Sequence, residues 1–518
     1  MVEVLGARAS TFTVAGFHYA LVDVTGLQPG MSTTYEVHLD SHLVWPRHGS
    51  AWPASRIRTR GGGGGLRVVF GSCRHAKPDE PRKSGPLGID ALDVYATRLA
   101  STPQQDWPDA LLLLGDQIYA DDPTSQTRRW LASRRDTRRP PGLEAADFCE
   151  YVRLYTESWS DEELRWLLST IPTAMIFDDH DVRDDWNTSA AWRRRVTGDG
   201  WWSDRIRGGL ASYWVYQHAG NLDPAHRAQD PVYRAVLDSD GDAWPVLERM
   251  ADAADTDPTS IRWSFRWDLD QVRLIMVDTR CGRLLTEGRR AMLDDAEFDW
   301  VEDGIATAAA DGVDHLLVGS SLPWLLPPAV SDVQSANEVA CARGSASGER
   351  LRQAVDLEHW PAFRDSFDRF AAILRQVAAA PGAPATVSVL SGDVHHSYVA
   401  RARFEEPARS PVYQLVCSPV HHAVPGHFKL LLWVSWLRPM AALGRRIARR
   451  WGVPDPALSW RRISGPHFGN AVATLRMDGR RAAVTFDRAH PQRRRWLLGP
   501  VSEVRLTGAR ERVRPARR

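Results

Sequence analysis

The sequence predicts an α/β protein carrying a small all-β module in front. Three observations lead there. From residue 66 onward, short apolar runs rich in β-formers recur at long intervals, each bounded by Gly, Pro or Asp. Between them lie long segments with apolar residues three and four apart, such as AEFDWVEDGIATAAA and LEHWPAFRDSFDRFAAILRQVAAA. Buried strands alternating with helices form a layered α/β core. The first 60 residues instead hold short alternating stretches with no helical period.

In order along the chain, residues 1–60 read as four or five strands: TFTVAGFHYALVDV, a turn and strand in GLQPGMSTTYEVHLD, and SRIRTR. Leu27, Pro29 and Tyr35 resemble the tyrosine-corner segment of fibronectin type III-like sandwiches, which need about seven strands. Five glycines (61–65) follow as a hinge. The expected strands of the main domain (66–500) are 66–70, 109–114, 172–177, 272–278, 314–319, 386–390 and 412–417. Residues 120–170 and 187–260, rich in Trp, Arg and Asp, are expected to insert helices and loops over one rim. The stretch 427–450, HFKLLLWVSWLRPMAALGRRIARR, is apolar and then basic. It predicts a helix kinked at Pro439 and packed on the domain, with contact to a membrane surface as the alternative. NAVATLRMDGRRAAVTFDR reads as a hairpin turning at Asp478-Gly479, and 501–518 as a basic tail with its last ten residues frayed.

Composition narrows the function. A formal net charge of +1 supplies no global basic field, which argues against a nucleic-acid partner. Cysteines 73, 149, 281, 341 and 417 are scattered, odd in number and without a CxxC pair. A reducing compartment fits them better than a disulfide framework. The first residues lack the basic, apolar and cleavage segments of a signal peptide, and no run is apolar enough to span a bilayer. The expected location is therefore cytoplasmic, or exported if the true N-terminus lies upstream.

Four strand ends carry the chemistry. LSGDVHHSYVA (390–400) ends an apolar run in Asp393, His395 and His396, where open α/β folds bind ligands. LLLLGDQIY (111–119) delivers Asp116, a carboxylate able to bridge cations, and Tyr119, whose phenolate suits Fe3+. AMIFDDHDVRDDW (174–186) packs five aspartates, His180 and Arg183 behind an apolar strand. Burying that much charge demands cations. There Asp179 is a candidate metal ligand, His180 a proton donor to a leaving group, Asp181 its orienting partner, and Arg183 an anion contact. RVVFGSCRH (67–75) ends in Cys73, with Arg74 and His75 behind it. A cationic neighbour can make Cys73 a thiolate ligand or a nucleophile. Together Cys73, Asp116, Tyr119, Asp179, Asp185, Asp393 and His395 form a mixed S/N/O set suited to iron plus a hard divalent ion such as Ca2+.

The order GSC, GDxIY, DDHDxxxxW and GDVHxS, with GSSLPWLLP (319–327), resembles the PhoD-like alkaline phosphatases, a branch of the metallophosphatases, over roughly 66–420. The resemblance implies a β-sandwich core flanked by helices (αββα). It also implies Fe3+ at Cys73, Asp116, Tyr119 and Asp393, with Ca2+ nearby. One departure is Asp184-Asp185, where the family often has Asn-Asn. The expected activity is hydrolysis of phosphate monoesters, and of diesters as the second possibility, by a metal-supplied hydroxide. Arg74, His75 or Arg183 would stabilise developing charge. The alternatives are a phospholipase-D-like hydrolase and a catalytically silent binding protein.

Overall fold

The structure, a computed structural model, describes residues 1–77, 87–422, 424–492, 495–508 and 513–515. The N-terminal module holds eight short strands rather than four or five. They are β1 (Val2–Val4), β2 (Ala7–Ala9), β3 (Phe12–Val14), β4 (Phe17–Tyr19), β5 (Ser32–Thr34), β6 (Val37–Leu39), β7 (His42–Trp45) and β8 (Arg56–Arg58). They form one sheet in the order β2-β1-β6-β7 and two separate pairs, β3-β4 and β5-β8. Strands this short bury little by themselves, and the module leans on the main domain. Tyr35 does not brace its own corner; its hydroxyl donates to the Ser169 carbonyl, and Trp52 stacks on Trp166. Asp242 accepts the N–H groups of Ala15 and Gly16 at the β3–β4 turn.

Two seven-stranded sheets follow. The first contains β9 (Leu66–Gly71), β10 (Ala110–Leu114) and β11 (Thr173–Ile176). The second contains β12 (Phe265–Leu269), β13 (Val272–Val277), β14 (His315–Ser320), β15 (Thr386–Ser391), β16 (Ser397–Phe404), β17 (Val412–Val416) and β18 (Leu458–His467). The chain then returns to the first sheet with β19 (Ala471–Asp478), β20 (Arg481–Gln492), β21 (Arg495–Arg505) and β22 (Val513–Pro515). The strand orders are β11-β10-β9-β19-β20-β21-β22 and β12-β13-β14-β15-β17-β16-β18. β9, β10 and β11 run parallel, as do β13, β14, β15 and β17.

Side-chain parity builds four layers. Val68, Phe70, Leu112 and Leu114 face Leu274, Met276, Leu317 and Leu390 across the space between the sheets. Their neighbours Val69, Leu111 and Leu113 turn outward onto Leu92, Tyr95 and Leu164 of the helices Ala91–Ala100 and Glu162–Leu168. Ile275, Val277, Val318 and Val389 turn outward onto the helices Asp295–Ala310 and Arg364–Ala379. Both faces of the parallel strands are covered, which is why these strands read as unbroken apolar runs.

The segment 120–170 forms the helices Ser125–Arg134, Phe148–Trp159 and Glu162–Leu168. Within 187–260 lie Ala190–Thr197, Trp202–Tyr213 and Trp244–Thr256, packed around the fully buried Trp192 and Trp214. Two expectations need correction. The stretch 427–450 is not one kinked helix. It is two, Gly426–Ser435 and Arg438–Arg450, with Pro439 in the first turn of the second, where its missing N–H costs nothing. The supposed tail from 501 begins inside the sheet, since β21 runs to Arg505 and β22 pairs with it. Residues 509–512 and 516–518 of that stretch lie outside the described residues.

Candidate metal centre

The functional side chains sit just beyond the C-terminal ends of β9, β10, β11, β15 and β17. The two sheets touch there: a Cβ built on Gly392 would stand 2.0 Å from Ser72 Oγ and 2.9 Å from the Leu114 carbonyl oxygen. The turns are tight. Cys73, Asp116, Asp185, Asp393 and His395 all have positive φ, from 49° to 65°. Such conformations persist only where the surroundings enforce them, and they concentrate at functional sites.

Asp116, Asp178 and Asp179 offer carboxylate oxygens all within 4.8 Å of one another, and all three are buried. Tyr119 Oη lies 3.5 Å from Asp116 Oδ2. Cys73 Sγ lies 3.2 Å from the Ser72 and Ser418 hydroxyls and 3.7 Å from the Asp393 carbonyl oxygen. Burial first, then the charges of Asp116 and Asp393, push the Cys73 thiol well up. Burial, then Asp116, Cys73 and Asp179, do the same to the Tyr119 phenol. Cys73, Asp116, Tyr119, Asp179 and Asp393 thus share one electrostatic neighbourhood, although they come from four strand ends. Asp393 Oδ2 is held by His359 Nε2 at 2.7 Å. Burial would raise this carboxyl, but the His359 bond and charge, with Arg280, hold it below the usual carboxylate range.

The donor set fits cations. Asp116 Oδ1, Asp178 Oδ2 and Asp185 Oδ1 are buried and make no hydrogen bond, and native proteins rarely tolerate such orphans; Asp179 Oδ1 faces the Arg280 guanidinium at 3.1 Å. Burial, against the pull of Arg280 and with the push of Asp179, raises Asp178 to about 8. Burial and Glu358 raise Asp185 to about 9. The buried Arg280 pairs with Asp178, with Asp179 and, together with the buried Arg283, with Glu358. It leaves the other carboxylates unbalanced, and bound metal would both balance them and draw the protons off Cys73 and Tyr119.

His180 forms the opposite wall. Its Nδ1 lies 2.9 Å from Asp121 Oδ2, and Asp121 also accepts the Asp184 N–H. Asp181, expected to orient His180, instead accepts the backbone N–H groups of Asp116, Gln117, Ile118 and Asp178. It shapes the loop that presents Asp116. The His180, His75 and His422 rings surround Tyr119 at centroid distances of 4.7, 4.9 and 5.4 Å, and His422 also stacks on His395 at 4.4 Å. Burial and His422 lower His395 to about 3, so it is neutral, the form that binds metal.

Three expected charge stabilisers are engaged by other partners. Arg74 is buried and bonded to Asp90, Ser158 and Asp161. With Lys77 it fills the acidic group Asp90, Asp93 and Asp161, a structural ion cluster. His75 has both ring nitrogens at backbone oxygens, of Ala76 and Asp122, and braces Tyr119. Arg183 pairs with Glu144 and lies 4.9 Å over the Trp201 ring. Asp121, Asp178, Arg280, Glu358, His359 and His422 were not anticipated. The signals were faint: Asp121 follows GDQIY by two residues, and His359 lies within an apparent helical pattern.

Comparison with known proteins decides the family. Residues 92–436 match the family model of the PhoD-like phosphatases. The chain belongs to the PhoD-like phosphatase family. As a PhoD-like phosphatase it is a hydrolase acting on phosphoric ester bonds. Residues 1–57 match a domain of unknown function, DUF7800. Among solved structures, one described as PhoD aligns with a TM-score of 0.58 and 11% identity, over 97% of this chain and 80% of its own. That likeness is one of fold. A purple acid phosphatase from seeds of yellow lupin (Lupinus luteus) aligns at TM-score 0.44 and 10% identity, over 90% of this chain and 59% of its own. A dimetal phosphatase from Danio rerio aligns at 0.38 and 10%, over 85% and 98%. No curated protein sequence matches.

Proposed function

We propose that this PhoD-like phosphatase is a metal-dependent phosphoesterase that hydrolyses phosphate monoesters, with diesters as a second substrate class. The observation that carries this reading is the cluster of buried carboxylates Asp116, Asp178 and Asp179 close to Cys73 and Tyr119, with oxygens of Asp116, Asp178 and the adjoining Asp185 left without a hydrogen bond. Soft sulfur and hard phenolate oxygen together suit Fe3+, which Cys73, Asp116, Tyr119 and Asp393 would hold. Asp178, Asp179, Asp185 and His395 are the residues for a second cation, Ca2+ by their predominance of carboxylates. When bound, such cations polarise phosphoryl oxygens and activate water.

The protein's own groups do the rest. Asp121 fixes His180 by Nδ1, which leaves Nε2 as the nitrogen that protonates the departing oxygen. His359 fixes Asp393 in the same way, holding one carboxylate oxygen by a hydrogen bond and so setting the orientation of the other. Arg280, with Arg283 on Glu358, offsets part of the charge of Asp178 and Glu358 and so weakens the repulsion of a phosphate dianion by the acidic floor.

The test is hydrolysis of p-nitrophenyl phosphate and its bis-ester with Fe and Ca2+ supplied, alongside elemental analysis and a visible spectrum. Turnover, bound iron and a charge-transfer band lost in Tyr119→Phe support the reading. Metal-loaded protein that cleaves neither ester overturns it. The ratio of the two rates sets the preference between esters.

A further inference from the structure

We propose that the helical pair Gly426–Ser435 and Arg438–Arg450 is a docking surface for a bilayer that carries anionic lipid. This goes beyond phosphate ester hydrolysis and does not depend on it.

Exposed apolar surface is concentrated here. Of the eighteen large hydrophobic side chains exposed among the described residues, seven lie between Phe428 and Trp451. On the first helix Leu430 and Leu431 are 66% and 61% exposed, with Phe428 and Trp433 beside them at 49% and 48%. Single exposed leucines are ordinary, but this concentration on two successive helices marks a contact surface. On the second helix Leu443 and Ile447, four residues apart, form one stripe that Trp451 continues just past its end.

Charge selects the occupant. From Gly426 to Pro454 the chain contains no acidic residue, but it has Lys429 and arginines 438, 445, 446, 449 and 450. Arg445 and Arg449 pair with Asp332 and Asp455. Arg438, Arg446 and Arg450 are exposed and have no acidic partner among the described residues. A second copy of this chain, meeting face to face, would set these cations against their equals. An apolar stripe bordered by arginines matches the headgroup boundary of an anionic membrane. Among the described residues no helix is long and apolar enough to cross a bilayer, so the contact is peripheral.

The platform is anchored. Gly444 lies so close to the helix Pro328–Ala342 that a Cβ there would stand 3.0 Å from Ala329 Cα. The first helix begins shortly after His422, which stacks on Tyr119. Trp436, just beyond that helix, packs edge-on against Tyr398 at 5.1 Å. The pair is thus tied to the second sheet as well as to that helix.

The test is flotation of the full chain with phosphatidylcholine vesicles prepared with and without phosphatidylglycerol, at low and high salt. Wild-type protein is expected to float with the phosphatidylglycerol vesicles at low salt and not with phosphatidylcholine alone. Arg446→Glu/Arg450→Glu and Leu430→Ser/Leu431→Ser are each expected to cut partitioning roughly tenfold or more, while leaving hydrolysis of soluble p-nitrophenyl phosphate unchanged. Absence of flotation with phosphatidylglycerol overturns the proposal. So does equal flotation of the variants. A wild-type dimer that Leu430→Ser/Leu431→Ser converts to monomer also overturns it, because a second copy then covers the face.

Discussion

His180 and His218 show how one residue type takes opposite roles through its surroundings. His180 is held between Asp121 and the acidic floor, which raise it well above its ordinary value although burial opposes them. As the proton donor, it matters most when the leaving group is a poor one. His180→Asn is expected to slow alkyl phosphate hydrolysis by about 100-fold or more and p-nitrophenyl phosphate hydrolysis far less; equal losses on both would exclude the role. His218, in the π-helical turn Trp214–His218, lies against Trp263 at 4.8 Å. Burial, then Arg262, lowers it from 6.5 to about 3. In that window the unfolded chain binds a proton that the folded one refuses. Its contribution to stability is therefore complete above pH 6.5 and is lost as pH falls toward 3, by up to about 1.4 kcal/mol per pH unit. Denaturant titrations of His218→Leu are expected to show a shallower loss over that range than wild type.

At the scale of elements, the site depends on how closely the strand ends meet. Gly392 leaves β15 against Ser72 and Leu114, with no room for a methyl group. Ser72 is short and buried, and the carbonyl is backbone, so neither can yield. Gly392→Ala is expected to cost about 1–3 kcal/mol and to separate Cys73 from Asp393, reducing bound iron measured by elemental analysis. The seven strands expected from the sequence coincide with β9, β10, β11, β13, β14, β15 and β17, because parallel strands covered on both faces are unbroken apolar runs. β12, β16 and β18 escaped. All three are antiparallel; β12 and β18 are half-exposed, β16 breaks its apolar run with Arg401 and Arg403, and LSWRRISGPH has too many polar residues to stand out from a loop. The same logic governs the site. Cys73, Asp116, Asp179 and Asp393 were legible because each ends an apolar run. Asp121 and His359 were not, because only folding brings them to His180 and Asp393.

For the whole molecule, the unbalanced acid at the centre links metal to stability. A cation at a hundred times its dissociation constant adds about 2.7 kcal/mol to the folded state. Exhaustive chelation is expected to abolish hydrolysis and lower Tm together, and re-addition of Fe and Ca2+ to restore both; an unchanged Tm would mean that the acids balance themselves without metal. The N-terminal module is a partner in this stability, since Asp242 and Ser169 of the main domain hold it at two places.

One pairing governs when any of this can form. β9 opens the first sheet, yet one of its two neighbours is β19, with Phe70 opposite Ala473. A ribosome must deliver nearly the entire catalytic domain before that edge of β9 is closed. Until then the backbone N–H and C=O groups along that edge of β9 are unpaired, and an open edge is a template for pairing with another chain.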